Sequence, residues 1–309
     1  MPLLNRQLLH RETASLFTDR RQEEAGETKR MGVTARSGLF EVCGNPRCKS
    51  GWLHLWRSRS APVFEGGWNC SAECTQERMR FAVRRELDGR ADGSRGYRHR
   101  MPLGLLMMEQ GWITSSQLKM ALEAQRSAGE GRLGHFLIRD LGISEDCVTR
   151  ALSLQWSCPV LPYRCECTDA AGSILPRFFI DAFAALPLRV AAGRLLYLGF
   201  EERPDTVLSL GIERMSGLRV ENGVVRGSDF RAARKQMLSA TFPPGEVLEA
   251  VSEPVLVRAL ARAVERVRPI ASRLVRIHDF LWLRMWKRAP TGRVPDAPSI
   301  EDVIGSIGI

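Results

Sequence analysis

The sequence predicts an α+β protein: an N-terminal four-cysteine zinc module, a tandem-repeat helical bundle subdomain, a small α/β subdomain and a C-terminal helix. Three observations carry that reading. Two short-spaced cysteine pairs stand in a tryptophan-rich stretch, a segment of helical periodicity is written twice at 102–125 and 132–155, and the chain then alternates helix and strand patterns up to about residue 238.

With 309 residues, 44% of them apolar, the chain has room for two domains or three small ones with real cores. The opening "MPLLNRQLLHRETASLF" lacks the apolar run of a secretion signal, and no uncharged apolar run is long enough to span a bilayer. The expectation is a cytoplasmic protein with no transmembrane segment. In that reducing setting eight cysteines read as metal ligands or buried thiols. A net charge of +10 favours anionic partners: nucleic acid, nucleotides or an acidic protein face.

Residues 1–37 are rich in charge and poor in apolar residues, a flexible tail by composition. Residues 38–88 hold Cys43-x4-Cys48 and Cys70-x3-Cys74, with twenty-one residues between the pairs. Each pair offers two thiolates from one tight turn, which is what a tetrahedral structural zinc requires, and a unit this small needs such a staple. "WNCSAEC" opens a helix and resembles the last element of treble-clef zinc modules. With four thiolates the site would be closed and structural; His54 in the intervening hairpin is the one alternative ligand. Cys158, Cys165 and Cys167 form a weaker group with no fourth partner beyond Cys147. Residues 89–100 are a Gly- and Arg-rich linker.

The repeats occupy 101–165. Each copy opens on Leu-Gly (Leu103-Gly104, Leu133-Gly134) and runs through a short apolar helix to a glycine (Gly111, Gly142). Thr114 or Ser144 caps a second helix, which closes on Gln125 or Gln155. Leu105, Leu106, Leu118 and Leu122, with Phe136, Leu137, Val148 and Leu152, read as the bundle core. Core packing alone leaves the repeated Gln and Gly unexplained.

The small α+β subdomain spans 166–240. A helix with a Pro near its start leads to strands Leu186–Val190 and Leu195–Phe200 around Ala191-Ala192-Gly193; a helix ended by Gly217, a strand, and a helix capped at Ser228 or Asp229 follow. Residues 241–290 read as basic amphipathic helices, interrupted at Pro269, with Trp282 and Trp286 one turn apart. Such a segment packs on the domain with a solvated basic side, or docks on an acidic partner, an anionic membrane or nucleic acid. Residues 291–309 read as a loosely ordered tail.

The two copies resemble the tandem motif of the MshEN domain, the N-terminal domain of type II secretion and type IV pilus assembly ATPases, with similarity over about 100–238. That motif runs R-L-G, paired aliphatics, G, then L, L and a final Q at helical spacing. The second copy keeps Arg132, Leu133, Gly134, Leu137, Ile138 and Gln155; the first keeps Leu103, Gly104, Gly111 and Gln125 but has Pro102 at the arginine position, and Leu141 stands at the second copy's glycine position. The resemblance implies that each motif holds one half of cyclic di-GMP and that a component of secretion or pilus machinery is the protein partner. The family's motor domain carries a phosphate loop G-x-x-x-x-G-K-[ST], and no such sequence occurs here, nor does a nucleophile–base constellation. The expectation is a non-enzymatic adaptor or regulator; the alternative is a zinc-dependent nucleic-acid-binding protein.

Overall fold

The computed structural model describes residues 42–49, 62–89, 100–162, 169–289, 294 and 296–308, all within Gly38–Ile309. The tail at 1–37, residues 90–99 of the linker, His54, Cys165 and Cys167 lie outside the described residues.

The cysteine unit contributes a two-stranded hairpin, β1 (Val63–Phe64) and β2 (Gly67–Trp68), and α1 (Ala72–Asp88). Ser71 caps α1 by accepting from the Cys74 N–H at 3.3 Å. The repeats form α2 (Leu103–Glu109), α3 (Ser115–Ala128), α4 (Leu133–Leu141) and α5 (Glu145–Trp156), so equivalent helices start thirty residues apart. Thr114 and Ser144 cap α3 and α5 as the sequence predicts, Thr114 in a capping box with Gln117. Met107, Ile113, Ala121, Phe136, Leu137, Val148 and Ala151 are the buried core of this bundle. Leu105, expected in that core, is 49% exposed, because Met107 takes the inward position on the short α2.

The next subdomain comprises α6 (Asp169–Ile174), α7 (Arg177–Phe183), β3 (Ala185–Ala191), β4 (Leu195–Phe200), α8 (Thr206–Ser216), β5 (Arg219–Val224) and α9 (Gly227–Leu238). Strand order is β3-β4-β5, antiparallel then parallel. The turn between β3 and β4 places Ala192 and Gly193 at positive φ, and Gly217 ends α8 in the left-handed region. Neither Ser228 nor Asp229 caps α9; Arg226 holds that position, and Ser228 is drawn to Glu145 of α5 instead.

The C-terminal region departs most from expectation. One helix is present, α10 (Glu253–Val267), preceded by β6 (Gly245–Ala250); after Pro269 the chain forms β7 (Ala271–Ile277) and β8 (Phe280–Trp286), not a second helix. Residues 300–307, read as tail, are β9 (Ile300–Ile307), an inner strand of a sheet ordered β6-β9-β8-β7. Leu274, Leu281, Leu283, Met285 and Val303 face α10 and α1, whereas Val275, Ile277, Trp282, Trp286, Ile300 and Ile304 join the core of the preceding subdomain. A sheet buried on both faces shows no polar alternation, so its strands read as near-continuous apolar runs and mimic a buried helix.

The same sheet absorbs the cysteine unit. Phe64, Met79, Ala82 and Val83 share one apolar cluster with Leu256, Leu260 and Val264 of α10, and Arg84 pairs with Glu253 at 2.9 Å. The chain's first described unit and its last are therefore one packed body, with the repeats inserted between them in sequence. Glu86, nearly buried, joins α1 to α8 and β7: Arg214 donates to it at 2.6 Å and the Arg276 backbone N–H at 3.1 Å. Burial opposes its charge, but those hydrogen bonds outweigh burial and hold the carboxyl below its ordinary range.

Candidate functional site

The bundle is built around an approximate two-fold relation between the two motifs. Gly104 and Gly134 are where the halves meet. A Cβ on Gly104 would stand 2.4 Å from Leu118 Cδ1 and 3.2 Å from Leu133 Cδ2; one on Gly134 would stand 2.9 Å from Val148 Cγ1 and 3.8 Å from Leu103 Cδ2. Each glycine packs most tightly on the second helix of its own motif and also lies against the leucine that opens the opposite one, so a side chain there would force those neighbours to shift. Gly111 and Gly142 do a different task, turning the chain at positive φ after α2 and α4.

The glutamines complete the relation. Gln125 Nε2 donates to the Gly131 carbonyl at 2.8 Å, and Gln155 Nε2 donates to the Met101 carbonyl at 2.9 Å. Met101 and Gly131 are themselves equivalent positions, immediately before Pro102 and Arg132. The last residue of each motif therefore anchors the residue just before the other.

Beside this joint lies a cavity of about 1280 Å³. Of the predicted ligand residues, Leu103, Gln125, Arg132, Leu133, Gly134, Ile138 and Gln155 line it; Gly104, Gly111 and Leu137 do not. Leu137 is fully buried in the bundle core and Gly104 is covered by Leu118 and Leu133. The opposite wall comes from the α/β subdomain and from the tip of the β7–β8 hairpin: Phe183, Glu201, Glu202, Asp205, Arg231 and His278. Phe183 stacks on His278 at 5.1 Å, and His278 Nε2 lies 2.7 Å from Asp205 Oδ2.

Much of the charge in and beside this cavity is already paired. Arg132 pairs with Glu202, Arg231 with Glu201 at 3.0 Å, and Arg139 with the neighbouring Asp140 at 2.6 Å. Burial pushes the Glu201 carboxyl up, while Arg231 and Arg132 pull it back. Arg203 and Arg100 lie over the Trp156 ring at 5.4 and 3.9 Å, and Arg100 also donates to the Gln155 carbonyl at 3.1 Å. Arg100 therefore braces the end of the second motif, whereas Pro102 presents no donor at all.

The sequence did not point to Glu202, Glu201, Asp205 or His278. For His278 a signal existed: His278-Asp279 is a polar pair between two apolar runs, and His278 adopts positive φ in the resulting turn.

The second site is the thiol cluster. Cys43, Cys48, Cys70 and Cys74 place their sulfurs within 4.8 Å of one another. Cys48 Sγ is 3.5 Å from Cys70 Sγ, which is 3.6 Å from Cys74 Sγ. Four sulfurs about 2.3 Å from a tetrahedral zinc stand about 3.8 Å apart, so the cluster fits that ion closely. Burial pushes the Cys43 and Cys70 thiols up, so bringing four thiolates together here calls for a cation. A zinc held here would have all four positions filled by these thiolates, the closed arrangement of a structural site. Among the described residues this is the one group of at least three such side chains placed to hold a metal.

No helix among the described residues is long and apolar enough to cross a membrane. No family model matches the chain, and no curated protein does. Among solved structures, one described as "Structure of MshE with cdg" is 26% identical, the match covering 45% of this chain and 99% of that one at a TM-score of 0.37. Another, of the N-terminal domain of XpsE, is 20% identical over 42% of this chain and 89% of that one, at a TM-score of 0.25.

Proposed function

We propose that this protein is a non-enzymatic regulatory adaptor whose tandem motifs form one composite site for a cyclic dinucleotide, cyclic di-GMP, and whose response is read by a protein partner of secretion or pilus machinery. The observation that supports it most is the reciprocal anchoring of Gln125 and Gln155 beside a cavity lined by seven of the ten motif residues. A two-fold arrangement of protein groups suits a two-fold ligand. Apolar Leu103, Leu133 and Ile138 offer a floor for flat bases, while Arg132 offers charge and planar donors to a phosphate or a guanine edge.

Zinc belongs to the same reading as a structural ion: the four-thiol cluster sits at the start of α1, which packs on α10. Titrating the full chain with cyclic di-GMP in a calorimeter tests the proposal. One ligand per chain supports it, and no heat at high ligand concentration rejects the ligand.

A further inference from the structure

We propose that Glu202 determines how tightly this cavity takes an anionic ligand: its carboxylate occupies Arg132, and a ligand phosphate must displace it. The inference rests on the cavity being the dinucleotide site and adds a competitor supplied by the chain itself.

Four arginines and four carboxylates line the cavity, so it is formally neutral with histidines uncharged. A cyclic dinucleotide, whose two phosphodiesters carry one negative charge each, gains in such a space from Arg203, which lies over Trp156, and from any paired arginine it can free. Arg231 is held by both Glu201 and Glu145, and Glu145 also accepts from the backbone N–H and the hydroxyl of Ser228. Arg132 is different. Its side chain is 70% exposed, close to the 65% of Arg231, but Glu202 is its single ion-pair partner among the described residues. An exposed pair of this kind contributes little and exchanges readily with solvent or ligand. Glu202 also lies on the loop between β4 and α8, where it can swing aside without disturbing a hydrogen-bonded strand.

The exchange has a structural consequence. Arg132 belongs to the repeat bundle and Glu202 to the α/β subdomain, so a phosphate that takes the carboxylate's place removes one tie between the two. The ties from Glu145 to Ser228 and from Asp146 to Arg226 remain.

Glu202→Gln keeps the size and polarity of the side chain and removes the charge. Calorimetric titration of the full chain with cyclic di-GMP should show this variant binding about two- to fivefold more tightly than the parent, the worth of an exposed ion pair. Paired with Arg132→Gln, the substitution should bring no gain, because the effect passes through Arg132. Equal or weaker binding by Glu202→Gln, or the same gain with Arg132 already removed, overturns the role of Glu202 and leaves the site standing. No binding by the parent or by Glu202→Gln removes the site, and this inference with it.

Discussion

Gln155 donates its side-chain N–H to the carbonyl of Met101, the residue that precedes the other motif by one position. Gln125 makes the equivalent bond to Gly131, so two residues thirty apart in sequence perform one structural task twice. The repeat is maintained by this exchange as much as by its apolar core. It follows that Gln125→Ala and Gln155→Ala should each cost about 0.5–1.5 kcal/mol, the net worth of one such bond. Hydrogen exchange at α2 and α4 measures the effect locally. Unchanged protection of both helices in the double variant contradicts the anchoring role.

Removal of the metal should be felt far from the cysteines. Because α1 shares its apolar cluster with α10, chelation or Cys74→Ser should lower zinc content from one per chain and also reduce amide protection along α10. Elemental analysis and hydrogen exchange on the same samples check both halves. A parent free of zinc, or Cys74→Ser with its full complement, rejects the site.

Arg284 and Asp302 form a cross-strand pair with both side chains 2% exposed, and Trp282 Nε1 also donates to Asp302 at 2.8 Å. Asp302→Ala would strand a buried guanidinium and should cost about 3–5 kcal/mol. Replacing both members by apolar residues, Arg284→Met with Asp302→Leu, should cost less, since it leaves only the Trp282 N–H and the Ile174 carbonyl without their partners. Denaturant unfolding distinguishes the two, and equal losses in the single and double variants refute the argument.

Arg284 also shows where sequence reading failed. Counted along the chain it is one of nine basic residues between 258 and 288 in apparent amphipathic helices, yet on the inner strand β8 it is only 1% exposed. Strands β7 and β8 bury both faces, so the period of two that would have revealed them is absent, and β9 follows a stretch of Pro and Gly that reads as a tail. The repeats were legible because each carries its own caps and turns: Thr114, Ser144, Gly111 and Gly142 act within a few residues. The thiol cluster was legible from spacing alone. The far wall of the cavity was not, since Glu202 and His278 reach it only through tertiary packing, and no local pattern records that.

The most direct test concerns the position where the two motifs differ. Pro102 and Arg132 hold the equivalent N-cap positions of α2 and α4, with ψ of 139° and 143°, so Pro102→Arg should give the first motif a guanidinium of its own. Calorimetry with cyclic di-GMP should find Arg132→Ala weaker than the parent and Pro102→Arg tighter by about ten- to hundredfold, the worth of one charge-assisted contact. Heat from Pro102→Arg but none from the parent would mark a scaffold that keeps the site's shape without its affinity. Silence from the parent and from Pro102→Arg alike would contradict the composite site itself.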